Sequence, residues 1–301
     1  MLLLAACLLQ LSDCATSRPA LPHDHRRAAL LRLSGGIDAA GAVEEAPPAP
    51  PAPAAPAEAP AQKVVAASSD DAPTLQEELI GETVGTFLLT LAVVCAGAQP
   101  LPKPTGPLAV ACILTGLIYA FGTLSGAVFN PAVSLALVLR GKLAKEKALW
   151  FAAAQTGGAI LAGLAGRFMY GTSIAPAVAS KSLMGWAQSS LAEILFTGTI
   201  VTVVHHTGVR AQSNNDVVGL AIGLTVFGCA VCSDVSGSCF NPAIGVGLWL
   251  AKAMLLDSFS IGCALLYILG PMGGAALATR RGAAARVIWP WRAASAASLT
   301  W

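Results

Sequence analysis

The sequence predicts an all-α membrane protein assembled from two copies of one helical unit. Three observations predict it. Of 301 residues, 55% are hydrophobic and only 11% charged, with a mean hydropathy of +0.68; a soluble domain carries about a quarter charged residues. After residue 78, apolar stretches recur at close to membrane-spanning length. Finally, segment 125–139 (SGAVFNPAVSLALVL) matches segment 236–250 (SGSCFNPAIGVGLWL) at eight of fifteen positions, with a constant offset of 111. The same offset relates Glu82 to Glu193 and Thr86 to Thr197, so the repeat reaches well beyond the shared Asn-Pro-Ala.

The apolar stretches place six spans near 79–98, 106–125, 148–167, 188–206, 217–233 and 258–279. Each approaches the roughly 20 residues that cross about 30 Å of hydrocarbon. With even-numbered loops on one side, Arg140, Lys142, Lys145, Lys147, Arg210, Arg280, Arg281, Arg286 and Arg292 share that side, against Lys103, Arg167, Lys181 and Lys252 on the other. The bias predicts that the second and fourth loops and both termini face the cytosol or its organellar equivalent. Trp289 and Trp291, beyond the last span, fit headgroup anchors. The net charge of +2 gives no footing for nucleic acid.

Eight cysteines show no disulfide framework; most lie in or beside apolar spans. Cys229-x-x-Cys232 has the spacing of a redox or metal pair, but no second pair or nearby His supports one, so buried small hydrophobes are the better reading. No metal or cofactor is expected.

The first 74 residues are of another character. Residues 1–17 hold a short apolar run like a secretory leader, without its basic start. Residues 18–74 begin with Arg18, Arg26, Arg27 and Arg32 against the single acid Asp24, then pass into a Pro/Ala tract at 46–61 that suits an extended, solvated linker. Cleavage of a secretory leader would invert every span against the charge bias. Either the leader stays cytosolic, or it opens a bipartite sequence leading to an organelle such as a complex plastid. Residues 281–301 form a basic tail.

The two Asn-Pro-Ala boxes are start signals. Asn is a favoured N-cap, and Pro fits the first helical position, where no N–H is needed. Nine or ten residues after Asn130 and after Asn241 rise about 15 Å, half of the bilayer core. Two such half-helices in repeats of opposite sense bring their starts together near the midplane. Each start carries the equivalent of roughly half a positive charge, a barrier to cations. With its oxygen used in capping, each Asn leaves its NH₂ to donate to a passing solute. Irregular backbone at this depth is tolerable only where it lines a cavity or is buried in protein.

These residues resemble the aquaporin, or major intrinsic protein, family. The resemblance covers about 75–280, in repeats 75–167 and 186–279, and rests on Asn130-Pro131-Ala132, Asn241-Pro242-Ala243, Gly81-Glu82-Thr83-Val84-Gly85-Thr86-Phe87 and Gly270-Pro271. It implies an aquaporin-like inverted repeat with six transmembrane helices and two re-entrant half-helices. It further implies a passive pore in the lipid bilayer, no enzyme, and a homotetramer. Its constriction positions fall on Val110, on Cys229 or Ala230, on Ser238 and on Ile244. The family usually has Arg at the last; here it is Ile244, followed by Gly245 where glycerol-conducting members have Asp. The fifth-span position carries no His. Such a constriction is small, apolar and uncharged, so the expected cargo is water with a larger or less polar neutral solute: ammonia, hydrogen peroxide, urea or a metalloid acid. Cys239, beside Ser238, is the candidate mercury site. The alternative is a non-conducting or gated structural member of the same fold.

Glu82 and Glu193 are acids inside apolar spans, where charge is costly. Their matched positions favour hydrogen bonds to the re-entrant loops over a proton relay. Gly81/Gly85, Gly122/Gly126, Gly219/Gly223 and Gly270/Gly274 suit close helix crossings. Ser238 with His205-His206 could be read as an intramembrane hydrolase, but the His pair falls at the opposite end of the fourth span, where interfacial placement suits it.

Overall fold

The computed structural model describes residues 72–102, 104–209 and 217–280. The expectations for the leader, the Arg-bearing and Pro/Ala segment before residue 72, Arg210, and the tail with Trp289 and Trp291 lie outside the described residues.

Helix α1 (Leu75–Ala98) opens on a capping box: the Thr74 hydroxyl accepts from the Glu77 N–H, and the Glu77 carboxylate accepts from the Thr74 N–H at 2.8 Å. Helix α2 (Thr105–Ser125) ends at Gly126, whose φ of +86° suits a left-handed cap. The short α3 (Pro131–Leu139) follows. Helix α4 (Lys145–Tyr170) ends on Gly171, again left-handed, and α5 (Leu183–Val204) is capped by Ser182. Helix α6 spans Val218–Cys232, the second short helix α7 spans Pro242–Met254, and α8 (Ile261–Thr279) is capped by Ser260. Helices α4 and α5 begin earlier than the apolar runs alone predict: α4 takes in the charged Lys145-Glu146-Lys147, and α5 starts directly after its Ser182 cap.

Five of these helices (α1, α2, α4, α5 and α8) are long and apolar enough to cross a membrane. The fifth expected span is shorter than its neighbours. At 15 residues, α6 rises about 22 Å, below the roughly 30 Å of hydrocarbon.

The packing follows the repeat. Helix α1 lies along α4, and α5 along α8; α2 meets α6 between the repeats. Each short helix is clasped by both α4 and α8. Small residues set these approaches. A methyl group at Gly158 would stand 2.3 Å from the Thr83 carbonyl oxygen, and one at Gly274 2.2 Å from that of Ile194. Of the predicted glycine pairs, Gly81/Gly85, Gly219/Gly223 and Gly270/Gly274 sit at close contacts. Gly122/Gly126 does not: Gly122 faces open space, and Gly126 is a helix cap. The outer surface is rich in exposed apolar side chains such as Phe168, Leu195, Leu224 and Leu269, which suits contact with lipid.

Candidate functional site: two half-helices meeting in one lumen

Helix α3 begins at Asn130, whose side-chain oxygen accepts from the Ala132 N–H at 2.9 Å; helix α7 begins at Asn241, which accepts from the Ala243 N–H at 3.0 Å. Pro131 and Pro242 fill the first helical positions. Ala132 and Ala243 are fully buried. The amides then cross over. Asn130 Nδ2 donates to the Phe240 carbonyl at 2.9 Å, and Asn241 Nδ2 donates to the Phe129 carbonyl at 2.8 Å. The two helix starts therefore meet, tied by reciprocal bonds between residues 110 and 112 apart in sequence. This corrects one expectation. Each NH₂ gives one hydrogen to the opposite loop, so only its second is left for a solute.

The loops that deliver these carbonyls are strained in the same way. Ala127 and Phe129 have φ of 50° and 49°, and their counterparts Ser238 and Phe240 have 53° and 52°. Non-glycine residues seldom adopt this region and need the surroundings to hold them there. Glu82 and Glu193 supply the hold. Glu82 accepts from Ser125 Oγ at 2.6 Å, Val128 N at 3.0 Å, Phe129 N at 2.7 Å and Gln155 Nε2 at 2.7 Å. Glu193 accepts from Ser236 Oγ at 2.7 Å, Cys239 N at 3.0 Å and Phe240 N at 2.7 Å. Both carboxylates are fully buried and spend their oxygens on loop donors.

Sequence reasoning missed several supports. Ser125 and Ser236 share the 111-residue offset and were legible through it. Gln155 assists Glu82 only, while the buried Tyr267 hydroxyl donates to the Ser236 carbonyl at 2.7 Å in the second loop. Neither has a repeated signature.

A single cavity of about 820 Å³ runs past both asparagines and draws its walls from both repeats. Val110, Ala230, Ser238, Cys239 and Ile244 line it. Cys229 does not; its thiol faces the Phe196 carbonyl, and the residue is buried beside Phe240 and Ile200. Of the two alternatives for the fifth-span position, Ala230 is the one at the lumen. The Ser238 hydroxyl bonds to Ser233 Oγ at 2.8 Å and to the Ala230 carbonyl at 3.0 Å. Among the described residues, the charged ones in the wall are Lys142 and Lys147, both at the end away from Ile244, and Lys147 pairs with Glu78.

His205 is buried, and His206 Nδ1 lies 2.7 Å from the Thr202 carbonyl. With its hydroxyl engaged by Ser233 and the Ala230 carbonyl, Ser238 is not poised as a nucleophile. Cys229 and Cys232 carry free thiols, one buried and one exposed.

Opposed half-helices, capped at a shared midpoint and flanking a lumen through a helical membrane bundle, define a channel protein. The family model "Major intrinsic protein" matches residues 71–280, and the chain belongs to that family. Its members are channels, and this chain is not an enzyme. It is 30% identical over 211 residues to Aquaporin NIP1-4 of Oryza sativa subsp. japonica, covering 67% of this chain and 74% of that one. It is also 30% identical over 208 residues to Glycerol uptake facilitator protein-like 6 of Lactiplantibacillus plantarum, covering 66% and 93% respectively. Among solved structures, the aquaglyceroporin from Plasmodium falciparum has the same fold, with a TM-score of 0.63 at 19% identity, over 74% of this chain and all of that one.

Proposed function

We propose that this chain is a passive channel for water and at least one larger or less polar neutral solute, among ammonia, hydrogen peroxide, urea and metalloid acids. The observation that supports the reading is the lumen: one cavity lined by both capped asparagines and by the uncharged Val110, Ala230, Ser238 and Ile244. The printed names of the relatives, aquaporins and a glycerol uptake facilitator, support water and small uncharged solutes as the class.

Selectivity follows from the wall. Cations are opposed at the centre by two helix starts, and both acids have their oxygens occupied by loop donors. A water that accepts from the remaining Asn donors has its orientation fixed there, which interrupts a proton wire. At the Ile244 end no cation among the described residues lines the passage, and apolar side chains hold water weakly. A solute that sheds its hydration cheaply gains relative to water. The charge bias of the loops supports termini on the cytosolic or stromal face, and the family supports a homotetramer with one lumen per subunit.

Stopped-flow shrinkage and solute-uptake assays on proteoliposomes test the proposal. Water permeability above that of empty liposomes, with flux of one of the named solutes, is the expected result. Permeability equal to empty liposomes would sink it and favour the non-conducting alternative.

A further inference from the structure

Helix α6 ends at Cys232, so the carbonyls of its last turn are short of helical donors. Two serine hydroxyls from the chain beyond it reach back to them. Ser233 Oγ donates to the Cys229 carbonyl at 2.8 Å, and Ser238 Oγ donates to the Ala230 carbonyl at 3.0 Å. The two hydroxyl oxygens lie 2.8 Å apart, within hydrogen-bond reach of each other. Ser233 is fully buried, whereas Ser238 lines the cavity together with Ala230, Cys239 and Ile244.

Counting protons fixes what Ser238 shows to the lumen. A serine hydroxyl has one proton and two lone pairs. If Ser233 donates to the Cys229 carbonyl, the Ser238 proton goes to the Ala230 carbonyl or to Ser233. If Ser233 donates to Ser238, the Ser238 proton still goes to the Ala230 carbonyl. Both arrangements turn that proton into the protein and leave Ser238 a free lone pair. Cys239 behaves alike, with its thiol donating to the Asn241 carbonyl at 3.2 Å. Val110 and Cys239 both pack against the apolar cluster that holds Ile244, and the side chains of Val110, Ala230 and Ile244 carry no polar atom. The side chains around Ile244 therefore accept hydrogen bonds without offering any, whereas the two asparagine amides present donors.

We infer that the passage around Ile244 selects solutes by hydrogen-bond polarity, with Ser238 as its acceptor and Ser233 as the residue that positions it. The solutes it takes are small neutral molecules that carry N–H or O–H groups, in preference to molecules of like size that only accept. The physical reason is the cost of lost hydration. A solute N–H that sheds water among apolar side chains regains a partner in the Ser238 lone pair. A solute with acceptors alone meets that lone pair with a lone pair of its own, and its oxygen goes unpaired.

This inference rests on the channel reading and narrows its solute class; the test separates the two. Proteoliposomes carrying wild type, Ser238→Ala and Ser233→Ala are compared for flux of water, acetamide and dimethyl sulfoxide, each above empty liposomes. The two organic solutes are of similar size and share a polar oxygen, but only acetamide carries N–H. Wild type should pass acetamide faster than dimethyl sulfoxide, on the order of tenfold. Ser238→Ala should bring the ratio toward unity through a loss of acetamide flux. Ser233→Ala leaves the lumen wall intact but frees the Ser238 hydroxyl to turn; it should lower the ratio in the same way with water flux kept, which a merely structural role would not do. Equal wild-type flux of the two solutes, water flux with neither solute passing, or a ratio in Ser238→Ala that falls only because dimethyl sulfoxide speeds up, overturns the inference alone. A wild-type ratio in Ser233→Ala overturns the positioning role. Wild type that conducts nothing overturns the channel reading and this inference together.

Discussion

Asn130 and Asn241 hold one another's loops: each side-chain amide donates to the carbonyl that immediately precedes the other asparagine, at 2.9 and 2.8 Å. The Asn side chain is thus both a helix cap, through its oxygen, and a cross-brace between repeats, through its nitrogen.

That double use separates two substitutions. Asp keeps the cap but has no donor for the opposite carbonyl, and it adds negative charge where two positive helix ends face each other. Asn130→Asp and Asn241→Asp should each lower thermal stability in detergent by about 1–3 kcal/mol, the cost of leaving a buried acceptor unpaired. Each should also let monovalent cations leak under an imposed potential. Cation flux equal to wild type in both variants would count against the central barrier.

Glu82 and Glu193 give a matched prediction. In Glu82→Gln, either amide orientation sets an NH₂ against a backbone N–H, that of Val128 or of Phe129. In Glu193→Gln the opposing donors are Cys239 and Phe240. One donor faces another in each case, so both variants should lose a similar amount, about 1–3 kcal/mol each. A proton relay would instead leave stability intact and remove only a proton current. Thermal unfolding of the two variants, measured side by side, decides between them.

Much of this arrangement was legible before any coordinates. The half-helix starts are local chemistry, an Asn cap and a Pro at the first position, and the repeat marks them twice. The pairing of Glu82 with Glu193 came from the same offset. What the sequence could not show is what the fold brings from afar. The carbonyl that takes the Asn130 amide belongs to Phe240, and no local rule points there. Gln155 and Tyr267 have no matched partner in the other repeat. Cys229 and Ala230 differ by one residue, which on a helix is a turn of about 100°. An uncertainty of one position in the α6 register was enough to leave the lumen-facing residue undecided.

Gly158 and Gly274 test whether the two halves are packed alike. An added methyl group at either meets a backbone carbonyl, that of Thr83 or of Ile194, and backbone cannot swing aside as a side chain can. Gly158→Ala and Gly274→Ala should both reduce the folded yield and lower the unfolding temperature. Gly116→Ala, where nothing lies within 4 Å, should not. Equal behaviour of all three variants would refute the close-crossing argument. The fractionation of each by size-exclusion chromatography gives the readout.

Cys239 lines the lumen one residue from Ser238, and its thiol lies 3.2 Å from the Asn241 carbonyl. A mercurial bonded there would stand in the passage, so water flux should fall on treatment and recover with an added thiol. Cys239→Ser should conduct and resist the block. A Cys239→Ser channel as sensitive as wild type would move the site to another cysteine, Cys229 being a poor candidate because it faces α5 instead of the lumen.

Ile244 offers the last test, because it stands in the lumen wall directly after the second Asn-Pro-Ala. It is 6% exposed and packs with Leu89, Leu114 and Leu248. Ile244→Arg puts a long charged chain into an apolar ring that offers it no carboxylate, since Glu193 is already occupied by the second loop. The guanidinium can therefore only reach into the passage, toward Ser238 and the carbonyls of the descending loop. The passage narrows and its polarity rises. Flux of urea or a metalloid acid should fall on the order of tenfold, and water flux should change less, because water re-forms its hydrogen bonds on the new donors. Solute flux that stays at the wild-type level would mean that Ile244 does not set the width of this pore.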